Sequence, residues 1–371
     1  MFASVLRWHR WPVTIAAALL LASCSGLGAQ TSPAPAAIAS NDQVVLPVVV
    51  HDKHGKVVRD LKKEELTLQV DSHPQTPSLF TVDIGLPIEL GLVVDTSMNE
   101  GGVLETVRNS SKTFLGRMLS GEKDRAFLLH YDRQVELLED LTTSKDKLDH
   151  SLDLLQTPQL KRADEGGDDS DDSREARRGG KQLYDAIFLA ADDVLKSQQG
   201  RRIMIVLSDG VDRGSKETLN GAIEAAQRAN VTIYAVYIKG EEERSQNGAG
   251  SGRSRVGFPG GSGGGGWPGA GGGGGGGRRG GGQRAPQQDH VDGKKILTRI
   301  AEETGGNILE MTKKEPLDDI YLGINDDLHA QYSLVFTPTA DARGEGYHRV
   351  NLSTSKKEVF LQVRGGYYSA K

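Results

Sequence analysis

The sequence predicts an α/β fold: a doubly wound, mainly parallel sheet with helices on both faces, flanked by small β segments. Three observations carry this expectation. Stretches 88–94, 203–207 and 231–238 are apolar but for Glu89 and Thr232 and do not alternate, as a strand buried on both faces requires. Between them lie segments whose apolar residues recur at spacings of three and four, the mark of a helix with one apolar face. Strand and helix then alternate along most of the chain, and that alternation makes a parallel sheet covered on both sides.

At the N-terminus Arg7, His9 and Arg10 precede an apolar run at 13–21 that is too short to span a bilayer. Residues 1–23 therefore read as a cleavable export signal. The run closes on Leu21-Ala22-Ser23-Cys24, which resembles the lipobox of bacterial lipoproteins. That resemblance implies lipidation of Cys24 and a membrane anchor in the cell envelope, and Ser25 behind it resembles an outer-membrane sorting residue. Several acyl chains on one cysteine exceed the marginal hold of a single chain, because each buried methylene adds about 0.8 kcal/mol. Leu27-Gly28-Ala29 offers ordinary signal cleavage instead, which would release a secreted protein. Loss of 1–23 removes Arg7 and Arg10 and takes the formal net charge from −5 to −7. With one cysteine in 371 residues, a disulfide framework and a zinc site of several thiolates are both excluded.

Residues 24–40 form a flexible tether, rich in Pro, Ala and Ser between 31 and 39. The β-branched stretch 44–50, then Val57-Val58 and the alternating Leu66, Leu68 and Val70, make 41–84 a small β unit with turns at His54-Gly55 and Asp71-Ser72. The α/β domain covers 86–331. Strand 88–94 leads to a helix with Val103, Val107, Ser110, Phe114 and Met118 on one face. A strand at 125–130 follows, then a helix marked by Leu183, Ile187, Ala190 and Val194, strand 203–207, a helix marked by Leu219, Ile223 and Ala226, and strand 231–238. Ile296, Leu297, Ile300 and Ala301 restart a helix, 307–310 is an edge strand, and Leu317, Ile320, Ile324 and Leu328 define a last helix. Period-two alternation in 332–337, 347–353 and 358–364, with a turn at Ala342-Arg343-Gly344, makes 332–371 a C-terminal β segment, expected beside 41–84.

Two insertions interrupt the domain, at 161–178 and 240–290. The first holds seven acids and five bases with almost no apolar side chain, so it reads as a solvated loop. The second is rich in Gly and Arg. Of the 47 glycines, 22 fall between 240 and 282, which leaves ordinary glycine usage elsewhere. Five arginines and no acid lie between Arg253 and Arg284. In an intracellular chain such a tract would suggest RNA. Export and the acidic balance argue against nucleic acid as partner, leaving a disordered surface insertion or an adhesive stretch for acidic envelope polymers or lipid head groups.

In open parallel sheets ligands gather beyond the carboxyl ends of the strands, so polar residues behind strands are the candidates. Strand 88–94 runs into Asp95-Thr96-Ser97-Met98-Asn99, and strand 203–207 into Ser208-Asp209-Gly210. Between them Gly179-Gly180-Lys181-Gln182-Leu183-Tyr184-Asp185 opens a helix. These three segments resemble the von Willebrand factor type A domain, whose metal-ion-dependent adhesion site uses Asp-x-Ser-x-Ser, a loop threonine and a later aspartate. The resemblance implies a Rossmann-like fold, protein–protein interaction, and Asp95, Ser97, Asn99 and Asp209 as ligands of magnesium or manganese. A partner's carboxylate would complete the sphere, since hard dications take oxygen ligands in an octahedron. Two positions depart from the pattern. Asn99 replaces a serine but still offers a neutral oxygen, whereas Lys181 replaces the threonine and has donors without an acceptor. Lys181 is then expected either to sit beside a metal or to stand between Asp95 and Asp209 as their counter-cation. A purely structural role, capping the following helices, is the competing account of the same Asp and Ser residues.

A β segment before the domain and a Tyr-Ser-Leu-Val-Phe-Thr-Pro to Arg-Gly-Gly-Tyr-Tyr ending after it resemble an exported acidobacterial group of type A-related proteins. The chain is therefore expected to be a binding protein of the cell envelope and not an enzyme. One alternative is a structural envelope protein acting through its Gly/Arg tract and β units. Another is a metal-dependent phosphohydrolase with Asp95 as nucleophile, which Ser97 disfavours because the haloacid-dehalogenase-like phosphatases have a second acid there. His51 and His54 flank Asp52 on a strand entering a turn and so do not share the helical face a metal pair would use.

Overall fold

A computed structural model describes residues 43–82, 86–97, 102–119, 123–155, 180–239 and 292–369. The export signal with Cys24, the tether, both insertions and Asn99 lie outside the described residues. The centre is a six-stranded sheet. In chain order its strands are β5 (Ile88–Asp95), β6 (Arg125–Tyr131), β7 (Val135–Thr142), β8 (Arg201–Ser208), β9 (Val231–Tyr237) and β10 (Ile308–Glu310). Their spatial order is β10-β9-β8-β5-β6-β7. Every pairing is parallel except β6 with the edge strand β7. All eight residues of β5 are buried, which is why its sequence does not alternate; its two acids are Glu89, paired with Arg125, and Asp95 at the carboxyl end.

Among the described residues six helices cover the sheet: α1 (Val103–Met118), α2 (Lys145–Asp153), α3 (Leu183–Leu189, continuing as a π-type turn through Ala190–Leu195), α4 (Leu219–Arg228), α5 (Gly293–Thr304) and α6 (Leu317–Ala330). Strand residues alternate between two cores. Leu90, Leu92, Ile203, Ile205 and Tyr234 pack with Phe114 of α1, Leu148 of α2 and Ile324 of α6. Val93, Phe127, Met204 and Ile233 pack on the other face with Leu183 of α3, Ile223 of α4 and Leu297 of α5. The expected doubly wound arrangement is therefore present. Gly91 has a packing reason, because a Cβ there would overlap the Phe127 ring.

The segments on either side of the α/β domain pair with each other. N-terminal strands β1 (Val44–Asp52), β2 (Leu66–Val70), β3 (His73–Gln75) and β4 (Pro77–Val82) combine with β11 (Tyr332–Phe336), β12 (Tyr347–Thr354), β13 (Val359–Val363) and β14 (Gly366–Tyr368). The result is two antiparallel sheets, ordered β13-β1-β11-β4 and β14-β12-β2-β3. Leu46, Val48, Val50, Leu68, Leu334 and Phe336 fill the core they share. The α/β domain is thus inserted between β4 and β11. Val57 and Val58, read as strand, form only a bridge from Val57 to His51, since the chain turns sharply at Gly55 with φ +77° and then leaves the sheet. Strand β7 and helix α2 have no counterpart among the sequence expectations. Among the described residues no helix is long and apolar enough to cross a membrane.

Candidate functional site

β5 and β8 are neighbours, yet the chain leaves them in opposite directions, to β6 on one side and to β9 on the other. The loops behind the two strands therefore part and leave a crevice at the carboxyl edge, where open α/β sheets take ligands. Asp95 ends β5, Asp209 follows β8, and Lys181 reaches the same crevice from just before α3.

Asp95 is fully buried. Its Oδ1 accepts the Ser97 amide at 2.9 Å and the Ser97 hydroxyl at 2.5 Å, and its Oδ2 accepts the Ser208 hydroxyl at 3.4 Å. The Ser208 oxygen accepts in turn from the Tyr131 hydroxyl at 2.7 Å and from the Gly210 amide at 2.9 Å. Asp209 Oδ2 accepts from Lys181 Nζ at 2.5 Å, while its Oδ1 takes the Val211 amide at 3.0 Å. The same ammonium lies 3.8 Å from Asp95 Oδ2, and the Lys181 side chain is only 17% exposed. Burial pushes the Asp95 carboxyl up to about 6 against the pull of Lys181, and the charge of Asp209 pushes the same way as burial. Burial, with Asp95 alongside, also holds the Tyr131 phenol well above 10.

Local polar contacts aim the lysine. Its carbonyl accepts the Arg213 amide at 2.9 Å, and the next amide, Gln182, donates to the Asp132 carbonyl at 3.1 Å. At the start of α3 the Ser215 hydroxyl oxygen accepts the amides of Tyr184 and Asp185, both at 3.1 Å. Asp185 reciprocates by accepting the amides of Lys216 at 3.0 Å and Glu217 at 2.8 Å. The loop after β8 and the entry to α3 are thereby stitched together, and two free amides of the helix start find an acceptor. Gly293, at the head of α5, approaches Asp209 and Gly210 so closely that a Cβ on either glycine would strike the other segment's backbone. These helper residues were not expected from the sequence, although Asp212 and Ser215 stand at a spacing typical of local capping.

A second chain of polar groups runs from Thr96 Oγ1 to His130 Nδ1 at 3.1 Å and from His130 Nε2 to Glu136 Oε2 at 3.0 Å. It has the residue types of a nucleophile with its base. However, Thr96 is fully buried and its hydroxyl donates to the Tyr131 carbonyl at 3.2 Å, so the chain fastens the loop behind β5.

Asp95, Ser97 and Asp209 thus meet in one crevice, while Asn99 falls outside the described residues. As arranged, they do not fit a divalent ion. Octahedral magnesium or manganese needs oxygen donors around it, but the space between the two carboxylates holds the Lys181 ammonium, which has no acceptor. The Ser97 hydroxyl, too, is turned as a donor to Asp95.

A doubly wound sheet with polar groups gathered at its switch point defines an α/β domain whose candidate site is the carboxyl edge of the sheet. Residues 89–254 match the family model of the von Willebrand factor type A domain, and the sheet with its helices has the fold of that domain. Domains of this type can hold a metal at their adhesion motif. No curated protein matches the sequence significantly. Among solved structures, the chain is similar to proximal thread matrix protein 1 of the mussel byssus, with 12% identity over 70% of this chain and 51% of that one and a TM-score of 0.43. It spans about half of the mussel protein's length. An aerotolerance-related membrane protein of Bacteroides fragilis matches at 15% identity over 65% of this chain and 98% of that one, with a TM-score of 0.39. The corresponding domain of a type V pili tip protein of Porphyromonas gingivalis matches at 12% over 65% and 95%, with a TM-score of 0.38.

Proposed function

We propose that this chain is an exported, lipid-anchored cell-envelope protein whose type A domain binds a protein partner at the carboxyl edge of its sheet without catalysing a reaction. The observation that carries this reading is the convergence of Asp95, Ser97, Lys181 and Asp209, from three separate segments, on one crevice at the switch point. Type A domains are generally interaction and adhesion modules. The strand ends and stitched loops here hold the polar groups before any partner arrives, which lowers the ordering cost of binding. Export and anchoring rest on residues 1–23 and on Cys24. Magnesium or manganese held by Asp95, Ser97, Asn99 and Asp209 is not part of this reading, because of where Lys181 stands.

In-cell photocrosslinking tests it. Arg133 is exposed and its backbone borders Gly180, whereas exposed Lys123 lies before β6 at the opposite edge. A crosslinker at 133 should give a discrete protein adduct that is absent from 123 and lost with Asp209→Ala. Equal adducts from both positions would sink the assignment of the edge. Cys24→Ala should move the protein from the membrane to the soluble fraction, and continued membrane retention would remove the lipid anchor from the proposal. Hydrolysis of a generic phosphomonoester with magnesium, abolished by Asp95→Ala, would show that the chain is an enzyme after all.

A further inference from the structure

We infer that Lys181 is the resident cation of this site, standing between Asp95 and Asp209 where a divalent ion would have to sit, so that the domain engages its partner without metal. The inference rests on the reading of this edge as the binding site and gives that site its chemistry. Two carboxylates close together need positive charge. Among the described residues the cation within 4.0 Å of both is Lys181, bonded to Asp209 and 3.8 Å from Asp95. A dication in that space would meet the ammonium within about 4 Å. Such a contact weakens binding roughly a thousandfold per unit of charge at an effective dielectric near 20.

The lysine is also held in place. Its carbonyl is bonded to the Arg213 amide, and the following amide to the Asp132 carbonyl, so the segment does not swing aside as a unit. Moving the side chain alone would strip Asp209 Oδ2 of its ammonium partner. The crevice therefore offers an ammonium already paired with carboxylates, carrying one net negative charge and no open coordination position. A partner's lone acidic side chain finds no ion to complete. The fitting partner group is one that bonds to a Lys–Asp pair, such as an amide, a hydroxyl or a cationic side chain.

Manganese titration of the full chain in detergent, followed by the EPR signal of free Mn2+, tests this without a partner. The wild type should show no saturable binding. Lys181→Thr and Lys181→Gln should each bind Mn2+ at least about a hundredfold more tightly, and adding Asp95→Ala should abolish that gain. Thermal melts establish that each variant is folded, and the glutamine variant decides if the threonine variant is not. Asp95-dependent Mn2+ binding by the wild type overturns the inference, as does a failure of folded Lys181 variants to bind more tightly. In the crosslinking experiment the adduct at 133 should survive chelation by EDTA, and its loss on chelation also overturns the inference. If no adduct forms at all, the partner-binding reading fails, while the Mn2+ titration still decides the role of Lys181.

Discussion

At Lys181 one side chain holds two carboxylates that would otherwise face each other in a largely closed crevice, with Asp95 fully buried and Asp209 only 13% exposed. Removing one partner of such a pair leaves uncompensated charge, so Lys181→Met should lower stability by about 3 kcal/mol. Adding Asp209→Asn should restore most of that loss. Chemical denaturation of the two single variants and the double variant measures the coupling. Additive losses would mean that the short contact contributes little. Asp95, Ser97 and Asp209 were legible in the sequence because each stands directly behind a buried strand. So was the choice at Lys181, since an ammonium cannot replace a threonine oxygen. The hydroxyl relay from Tyr131 through Ser208 to Asp95 was not legible. It joins residues from three strands, and Tyr131 reads in sequence as another apolar strand position.

Among the elements, β5 is tightly constrained, with parallel neighbours on both sides and a packed core on each face. Gly91 lies at its middle, where the Phe127 ring of β6 takes the space a side chain would use. Gly91→Ala should therefore cost about 1–3 kcal/mol through overpacking. In a Phe127→Leu background the same change should cost distinctly less, and equal penalties in urea unfolding would argue that the ring is not the obstacle. Strands buried on both faces were readable because burial leaves them few polar residues, Glu89 of β5 and Thr232 of β9 being exceptions. β7 was not. It is an edge strand with a single neighbour and mixes Leu137 and Leu138 with Glu136, Glu139 and Asp140, leaving Leu137 44% exposed. The nine-residue helix α2 buries only Leu148, Ser151 and Leu152, too few positions to establish a helical period.

At the scale of the whole molecule, the inserted type A domain and the sandwich built from both chain ends meet through polar contacts. Arg364 reaches Asn230 at 2.6 Å, Gln362 reaches the Gly305 carbonyl at 3.2 Å, and His51 of β1 lies 2.7 Å from Asp327 of α6. The His51 contact had no expression in local spacing, because 276 residues separate the pair. It makes the junction sensitive to pH. The hydrogen bond to Asp327 raises the His51 pKa above its ordinary 6.5, with burial opposing and the charges of Asp327 and Asp52 assisting. A histidine whose folded pKa is raised stabilises the protein when protonated. Its contribution is complete below the unfolded value of 6.5 and is lost as pH rises through the folded value. Neutral imidazole still keeps one N–H to donate to Asp327, so the bond weakens without vanishing. The stability gap between wild type and His51→Gln should therefore be largest in mild acid and shrink by about 1 kcal/mol toward mild alkali. Melting both proteins from about pH 5 to about pH 9 measures that gap directly. A gap that stays constant would show that folding leaves the His51 pKa unshifted, so that the contact with Asp327 does not favour the protonated imidazole.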